Sequence, residues 1–272
     1  MLNIAINTFR EIIRNKYLYM ILFFALIFIA FSVTLWKLTI WDDSKIIVDF
    51  WLSMIEIFWL IWVVFIWSQL LFKEVEWKTI FLILSKPIKR YEFIIWKIMW
   101  FSMVIFLIVL FQSIVFLFVL YSYWTSFDNW FLWFFSSFFD HKSIEITPLI
   151  IWSLINTFLK LEIALAIVFF LSTFMSNMLT ITSSIMIYFL SHNFSILLDL
   201  VNKWQNYIAI NLVKILELLF PPFEALNTKD VIWTFSNFSN SFFILNVFYS
   251  LLYFWVLILL TIVIFSRKKF ES

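Results

Sequence analysis

Long apolar stretches constrain the fold of this 272-residue chain more than any other feature of its sequence. A helix that crosses the hydrocarbon core of a bilayer needs about 20 mostly apolar residues. The chain has six such stretches, at residues 17–35, 50–72, 96–121, 155–175, 178–198 and 242–265. Charged residues make up only 13% of the chain, against roughly 25% in soluble domains. We therefore predict an all-α polytopic membrane protein, with residues 1–272 forming a single six-helix transmembrane domain.

The distribution of Lys and Arg predicts how these spans are oriented. With six spans, one side holds both termini, the segment between the second and third spans, and the turn near Asn177. That side carries twelve Lys and Arg against five Asp and Glu, a net charge of +7, and the opposite side has a net charge of −4. Because Lys and Arg concentrate on the cytoplasmic side of membrane proteins, we expect both termini to be cytoplasmic and the chain to lie in the cell (inner) membrane.

Three segments outside the spans have recognisable patterns. Residues 1–16 alternate apolar and polar faces at helical spacing, which predicts an interfacial helix on the cytoplasmic surface. A plain cytoplasmic extension of the first span is the alternative. Residues 122–147 and 199–241 are predicted outer loops. The second of them is expected to contain an amphipathic helix at 201–220, stopped by Pro221 and Pro222.

Glycine is absent from the sequence, whereas tryptophan occurs 16 times. Average usage of about 7% would give about 19 glycines in a chain of this length, and membrane helices normally hold more glycine than soluble ones. This pattern favours a source that reads the codon UGA as glycine. The alternative is a genuinely tryptophan-rich, glycine-free protein. If glycine is native, the indoles of Trp59, Trp62 and Trp67 should crowd helix contacts or be pushed toward lipid.

Three ionisable residues fall inside predicted spans, namely Glu56, Lys160 and Glu162. Such residues are functional candidates by default, as proton relays or ion sites. The alternatives are anchoring near the outer ends of the spans, where Lys160 could extend to the headgroups, and a buried hydrogen bond in a dimer. Lys160 and Glu162 are two residues apart, so they are not expected to face each other on a helix.

The sequence offers little for catalysis or metal binding. It contains no cysteine, and its two histidines, His141 and His192, do not have metal-ligand spacing. No glycine-rich phosphate-binding loop is present. We therefore expect no catalytic residue, metal, cofactor or nucleic-acid partner in this chain. Any ATP that drives its activity would be bound by a partner subunit.

The segment between the second and third spans, residues 73–97, reads KEVEWKTIFLILSKPIKRYEFIIWK. Acidic and basic residues alternate along it, which suits a polar groove on a partner, and Pro87 would end a first helical piece and reorient the chain. An ordinary basic inner loop that only sets the orientation of the spans is the alternative.

This segment resembles the membrane subunit of a type-2 ATP-binding-cassette transporter. In that family an acidic pair precedes Gly-Thr or Gly-Lys-Thr, then come a Leu/Ile run, Ser-Lys-Pro-Ile and an aromatic-Glu-Phe triplet. Trp77, Trp96 and Trp100 stand where the family typically has glycine. The copper-enzyme-maturation and gliding permeases form the most similar branch. Further matches along the chain are Arg10-Glu11, Arg14-Asn15-Lys16, Ser172-Thr173-Phe174, His192 and the stretch from Pro221 to Asn227.

The resemblance implies a permease subunit whose cytoplasmic coupling helix, within residues 73–95, docks into a separate ATPase. Its implied partners are the ATPase subunit, a second permease copy or paralogue, and the bilayer. It leaves the substrate open and favours export. A non-transporting membrane scaffold or assembly factor is the alternative. The docking residues that the resemblance assigns are Glu74, Glu76, Lys78, Ser85, Lys86, Pro87, Lys89, Arg90 and Glu92.

Overall fold

The computed structural model describes residues 43–70, 72, 90–124, 141–203, 207–221, 223–227 and 240–267, together with positions 19, 23 and 27. Within these residues the fold is all-α. The helices are α1 (Asp43–Trp62), continued by a π-helical turn (Val63–Trp67), α2 (Arg90–Trp124), α3 (His141–Ser172), α4 (Asn177–His192), α5 (Phe194–Lys203), α6 (Tyr207–Leu219) and α7 (Asn240–Arg267).

Four helical stretches in the described ranges are long and apolar enough to cross a membrane: Val48–Leu70, Tyr91–Leu117, Ile150–Ser172 and Ile244–Arg267. They correspond to the predicted second, third, fourth and sixth spans. Together α4 and α5 pass the same test as a bent pair, which gives up to five spans. The predicted first span lies outside the described residues apart from three positions, and the predicted interfacial helix at 1–16 lies wholly outside them.

Helix α3 is the centre of the bundle and contacts α1, α2, α4, α7 and the π-helical turn. Residues 161–169 of α3 are buried without interruption, as expected for a helix that is apolar around its whole circumference. The outer faces of α2 and α7 instead expose large apolar side chains, among them Phe111, Ile114, Leu252 and Leu259. Contiguous apolar surface of this extent marks a site of protein or membrane contact. The chain is a membrane-embedded, multi-pass helical protein.

The predicted fifth span is divided between α4 and α5, which meet at an angle of 61°. The break lies at Asn193, whose side-chain amide donates to the Phe189 carbonyl over 2.7 Å. Local side-chain bonds of this kind compete with the helix ladder. At the start of α5, the Glu224 carboxylate accepts the Ser195 backbone N–H over 3.0 Å. That contact satisfies one of the amides that a new helix leaves without an intrahelical partner.

Helices continue past their apolar windows into two of the segments predicted to lie outside the spans. The outer loop predicted at 122–147 is helical at both ends, since α2 extends to Trp124 and α3 begins at His141. Residues 90–95 of the predicted coupling segment are already part of α2. A helix needs no apolar environment to satisfy its own backbone, so apolar length alone underestimates its extent.

The amphipathic helix predicted at 201–220 is confirmed in part. The structure has α6 over Tyr207–Leu219 and assigns the first residues of the predicted helix to α5. The end of α6 just before Pro221 agrees with the prediction. Proline lacks the backbone N–H that the helix would need, and it disfavours a helical backbone at the residue before it.

Contacts at one end of the bundle agree with the predicted alternation of spans. Ser68, at the end of the second span, donates to the Asn177 side chain over 2.5 Å. Phe93, near the start of α2, stacks with Phe265, near the end of α7, with ring centroids 6.4 Å apart. The helix ends that the predicted topology assigns to one side of the membrane therefore lie close together within each of these pairs.

The indoles of Trp59, Trp62 and Trp67 lie inside the bundle rather than against lipid. The indole N–H of Trp59 donates to the Gln112 side chain. Neither Trp62 nor Trp67 has a hydrogen-bond partner for its buried N–H within the described structure. An unsatisfied buried donor costs about 1–3 kcal/mol, so these two indoles fit their surroundings poorly.

Aromatic rings are also packed closely at the end of the same span. The Trp67 and Phe101 ring centroids are 3.8 Å apart, closer than the roughly 4.5–7 Å typical of aromatic pairs. The Trp62 and Trp67 ring centroids are 4.8 Å apart; Trp62 directly precedes the π-helical turn, and Trp67 is its last residue. Such turns are rare local distortions of an α-helix. The outcome corresponds to the crowding that the sequence predicts for indoles at glycine positions.

Candidate functional site

A buried ion pair joins two spans that are far apart in sequence. The Lys160 ammonium on α3 donates to Glu56 Oε1 on α1 over 2.7 Å, and the two side chains are only 2% and 3% exposed. The Tyr188 hydroxyl on α4 donates to the same oxygen over 2.5 Å. We call Glu56, Lys160 and Tyr188 the buried triad. It connects three spanning helices through one carboxylate.

Aromatic side chains close the triad on the α4 side. The His192 ring stacks on Tyr188, with centroids 5.8 Å apart and planes 13° apart. Phe223, from the turn after α6, packs against the same tyrosine with centroids 5.0 Å apart. The Pro-Phe-Glu stretch before the last span thereby contacts the ring that holds Glu56.

The depth of the triad corrects the anchoring interpretation. At 1.5 Å of rise per residue, Lys160 lies about 18 Å from Ser172, and Tyr188 about 17 Å from Asn177. In a hydrocarbon core about 30 Å thick, these positions are slightly past the middle. The prediction that Lys160 extends to the headgroups is wrong, because its ammonium is buried against Glu56. The bond to Glu56 is formed within the chain and needs no dimer.

Charges in such an environment are costly unless they are paired. Removing a carboxylate or an ammonium from water costs several kcal/mol even after relaxation, and close pairing with further hydrogen bonds offsets that cost. Intramembrane ion pairs therefore mark functional positions by default. The triad can hold three spans in one arrangement and release them if the pair opens.

Glu162 is a second buried carboxylate, on another face of α3. It is 5% exposed, and neither of its oxygens makes a hydrogen bond within the described part of the chain. The Ser102 side chain lies close to it but outside hydrogen-bond geometry. The prediction that Lys160 and Glu162 do not face each other is confirmed, since Lys160 bonds to Glu56.

Lys97 is buried at the start of the third span, although the sequence places it among the cytoplasmic basic residues. Its ammonium lies 5.3 Å from the centre of the Phe93 ring and 5.8 Å from that of Phe101. A cation within about 6 Å of a ring face is attracted to its electrons. These two cation–π contacts hold the Lys97 side chain against the first turns of α2.

Two of the predicted docking residues belong to the described structure. Arg90 is the first residue of α2, and Glu92 lies in its first turn, where a carboxylate interacts favourably with the helix dipole. The other predicted docking residues lie outside the described ranges, namely Glu74, Glu76, Lys78, Ser85, Lys86, Pro87 and Lys89.

Sequence reasoning identified Glu56 and Lys160 but not their pairing, and it missed Tyr188. The pairing joins residues 104 positions apart, so no local spacing could reveal it. One signal was available for Tyr188. It lies four residues before His192 on α4, so both fall on one helix face.

No protein-family model and no curated protein matches this chain.

Proposed function

We propose that this chain is the membrane-spanning permease subunit of an ATP-binding-cassette transporter, exporting its substrate with ATP hydrolysed by a separate subunit. The observation that carries the proposal is the 73–97 segment, with its acidic pair, Ser85-Lys86-Pro87 and Glu92-Phe93 in the order typical of type-2 permeases. The multi-pass helical bundle is the architecture that such a subunit requires.

The packing of α2 supports a mechanical role for the coupling segment. Arg90 begins a helix that continues unbroken to Trp124, so a displacement at its cytoplasmic end would be carried across the membrane. Near that end, Phe93 contacts α7 through Phe265, and Phe101 contacts α3 through Phe169 at 5.5 Å. Movement of an attached ATPase would therefore reach the last span and the central helix.

The exposed apolar faces of α2 and α7 suit both lipid and a second permease copy. These apolar faces would be buried against an identical subunit or a paralogue, so the proposal includes a dimer of permeases with two ATPase subunits. Six spans, cytoplasmic termini and location in the cell (inner) membrane belong to the same proposal and follow from the positive-inside rule.

A non-transporting scaffold or assembly factor is the second candidate. The buried triad is the specific observation that favours it, because an intramembrane ion pair that joins helices can serve purely as a brace. A neighbouring ATPase gene would favour the transporter, and its absence would favour the scaffold.

Charge reversal in the coupling segment tests the proposal. The double substitution Lys89→Glu/Arg90→Glu should reduce co-purification of the cognate ATPase by about tenfold or more, since losing charge-assisted bonds at an interface costs about 1.5–3 kcal/mol each. Pull-down from solubilised membranes, followed by quantitation of the ATPase subunit, measures this.

The matched controls are Lys89→Arg/Arg90→Lys in the same segment and Lys142→Glu on the predicted outer side. Both should retain the complex. Full complex and full ATP hydrolysis with the charge-reversed protein would show that the segment does not dock.

A further inference from the structure

A cavity of about 300 Å³ opens at the end of the bundle opposite the Thr173–Ser176 turn. It lies between the C-terminal end of α4, helix α6, the Pro221 turn and α7. Small-molecule sites begin at about this volume, roughly 300–1,000 Å³. None of the cavity-lining residues belongs to the coupling segment or to the buried triad.

The depth of the cavity places it between the outer part of the hydrocarbon core and the lipid headgroups. Ser191 lies about 21 Å along α4 from Asn177, and Tyr249 lies about 27 Å along α7 from Arg267, at 1.5 Å per residue. The hydrocarbon core is about 30 Å thick. Tyr249 therefore lies close to the boundary between acyl chains and headgroups, and Ser191 lies about 9 Å inside that boundary, both on the outer side in the proposed topology.

The polar residues of its lining are one cation, two carboxylates and two hydroxyl-bearing residues, Ser191 and Tyr249. Lys214 and Glu217 come from α6, and no residue of the described ranges forms an ion pair with either. Glu224 comes from the turn and uses one oxygen to accept the Ser195 N–H. Ser191 is 1% exposed, and its hydroxyl has no hydrogen-bond partner in the part of the chain described. The lining offers complementary charge to a small zwitterion.

Apolar surface flanks the cavity on both sides. Helix α6 exposes Ile208, Leu212 and Ile215, which share one face at helical spacing. Helix α7 exposes Phe248 and Leu252 beside Tyr249. A helix with exposed apolar residues on one face and charges on another lies in the membrane interface. A ligand bound here would have its polar end in the cavity and apolar surface beside it.

We propose that this cavity binds the headgroup of a phospholipid that carries both a phosphate and a primary ammonium, such as phosphatidylethanolamine. The phosphate pairs with Lys214, and the ammonium donates to Glu217 and Glu224. The Ser191 hydroxyl supplies a further hydrogen bond to the headgroup. Bonds between charged partners of this kind are about twice as strong as neutral ones. A trimethylated ammonium cannot donate them, and a headgroup with only a phosphate leaves the carboxylates unpaired.

The test is lipid retention by the purified full chain in nanodiscs made from equal parts of phosphatidylethanolamine, phosphatidylcholine and phosphatidylglycerol. Native mass spectrometry counts the lipids that remain bound after release from the disc. We expect phosphatidylethanolamine to be retained about tenfold over the other two. Glu217→Gln and Lys214→Gln should each reduce that preference by about tenfold, and Lys203→Gln, an exposed lysine outside the cavity, should not change it.

Equal retention of the three lipids would overturn the proposal, as would an unchanged preference in both cavity variants. Displacement of the bound lipid by soluble phosphoethanolamine at a concentration equal to that of the lipid would overturn the lipid assignment, since the acyl chains would then contribute no affinity. The readout needs neither ATP nor a partner subunit, so its outcome is independent of the permease proposal.

Discussion

Replacing Lys160 by methionine should lower the free energy of unfolding by about 3–5 kcal/mol, because the Glu56 carboxylate then stays buried without its cation. Methionine is apolar and of similar length, so the change removes the charge with little loss of volume. Unfolding of the purified protein in mixed detergent micelles, followed by circular dichroism, measures the effect. The exposed Lys203→Met is the matched control and should change stability by no more than about 0.5 kcal/mol.

The double variant Glu56→Gln/Lys160→Met distinguishes the loss of a buried ion pair from the destabilisation that any substitution at a tightly packed position would cause. Glutamine keeps an oxygen that can accept from Tyr188, and no buried charge remains, so most of the lost stability should return. An unchanged stability in Lys160→Met would contradict the burial of the pair. A double variant as unstable as the single one would show that packing, rather than charge, carries the effect.

Glycine at positions 59, 62 and 67 should give a protein at least as stable as the tryptophan version. In an ordinary core, truncating tryptophan costs about 3–5 kcal/mol. Here truncation should leave the free energy of unfolding unchanged or raise it. Within the described residues the N–H groups of Trp62 and Trp67 have no hydrogen-bond partner, and Trp67 is packed closely against Phe101. Glycine also lets membrane helices approach closely. Unfolding of the triple variant in mixed micelles measures this, and Leu165→Ala, at a fully buried position with no codon ambiguity, should show the ordinary loss of about 2–5 kcal/mol.

Peptide mass spectrometry of the native protein tests the same hypothesis directly. Peptides that cover Trp77, Trp96 and Trp100 should each be lighter than the printed sequence by the difference between the tryptophan and glycine side chains. Intact tryptophan at these positions would defeat the recoding hypothesis and leave the permease proposal to rest on its remaining motifs.

The spans could be predicted from the sequence because apolar length reflects bilayer thickness directly. The second, third, fourth and sixth predicted spans all have counterparts in the structure. The end of α6 before Pro221 was also predictable, because proline acts locally on the backbone. The division of the fifth span at Asn193 was not, since it depends on a side-chain bond to Phe189 and on Glu224 from a distant turn.

The buried triad shows why the site was only partly predictable. The cost of burying Glu56 and Lys160 is a property of each residue, so both could be identified as candidates from the sequence. Their partnership depends on which faces of α1, α3 and α4 meet, and no local pattern encodes that. Lys97 illustrates the converse, because the sequence counts it among the basic residues outside the spans, whereas the structure buries it against Phe93 and Phe101.

Site-specific cross-linking from the coupling segment is the most direct test of the proposed function. Because the chain contains no cysteine, Ser85→Cys introduces its only thiol. Cells carrying this variant are treated with a thiol-to-amine cross-linker, and the products are identified by mass spectrometry. The same treatment of Ser137→Cys, in the predicted outer loop, is the control. A cross-linked product between position 85 and a nucleotide-binding ATPase subunit is expected, with none from position 137. Absence of an ATPase product from position 85, or equal products from both positions, would contradict the proposal that the coupling segment docks on an ATPase.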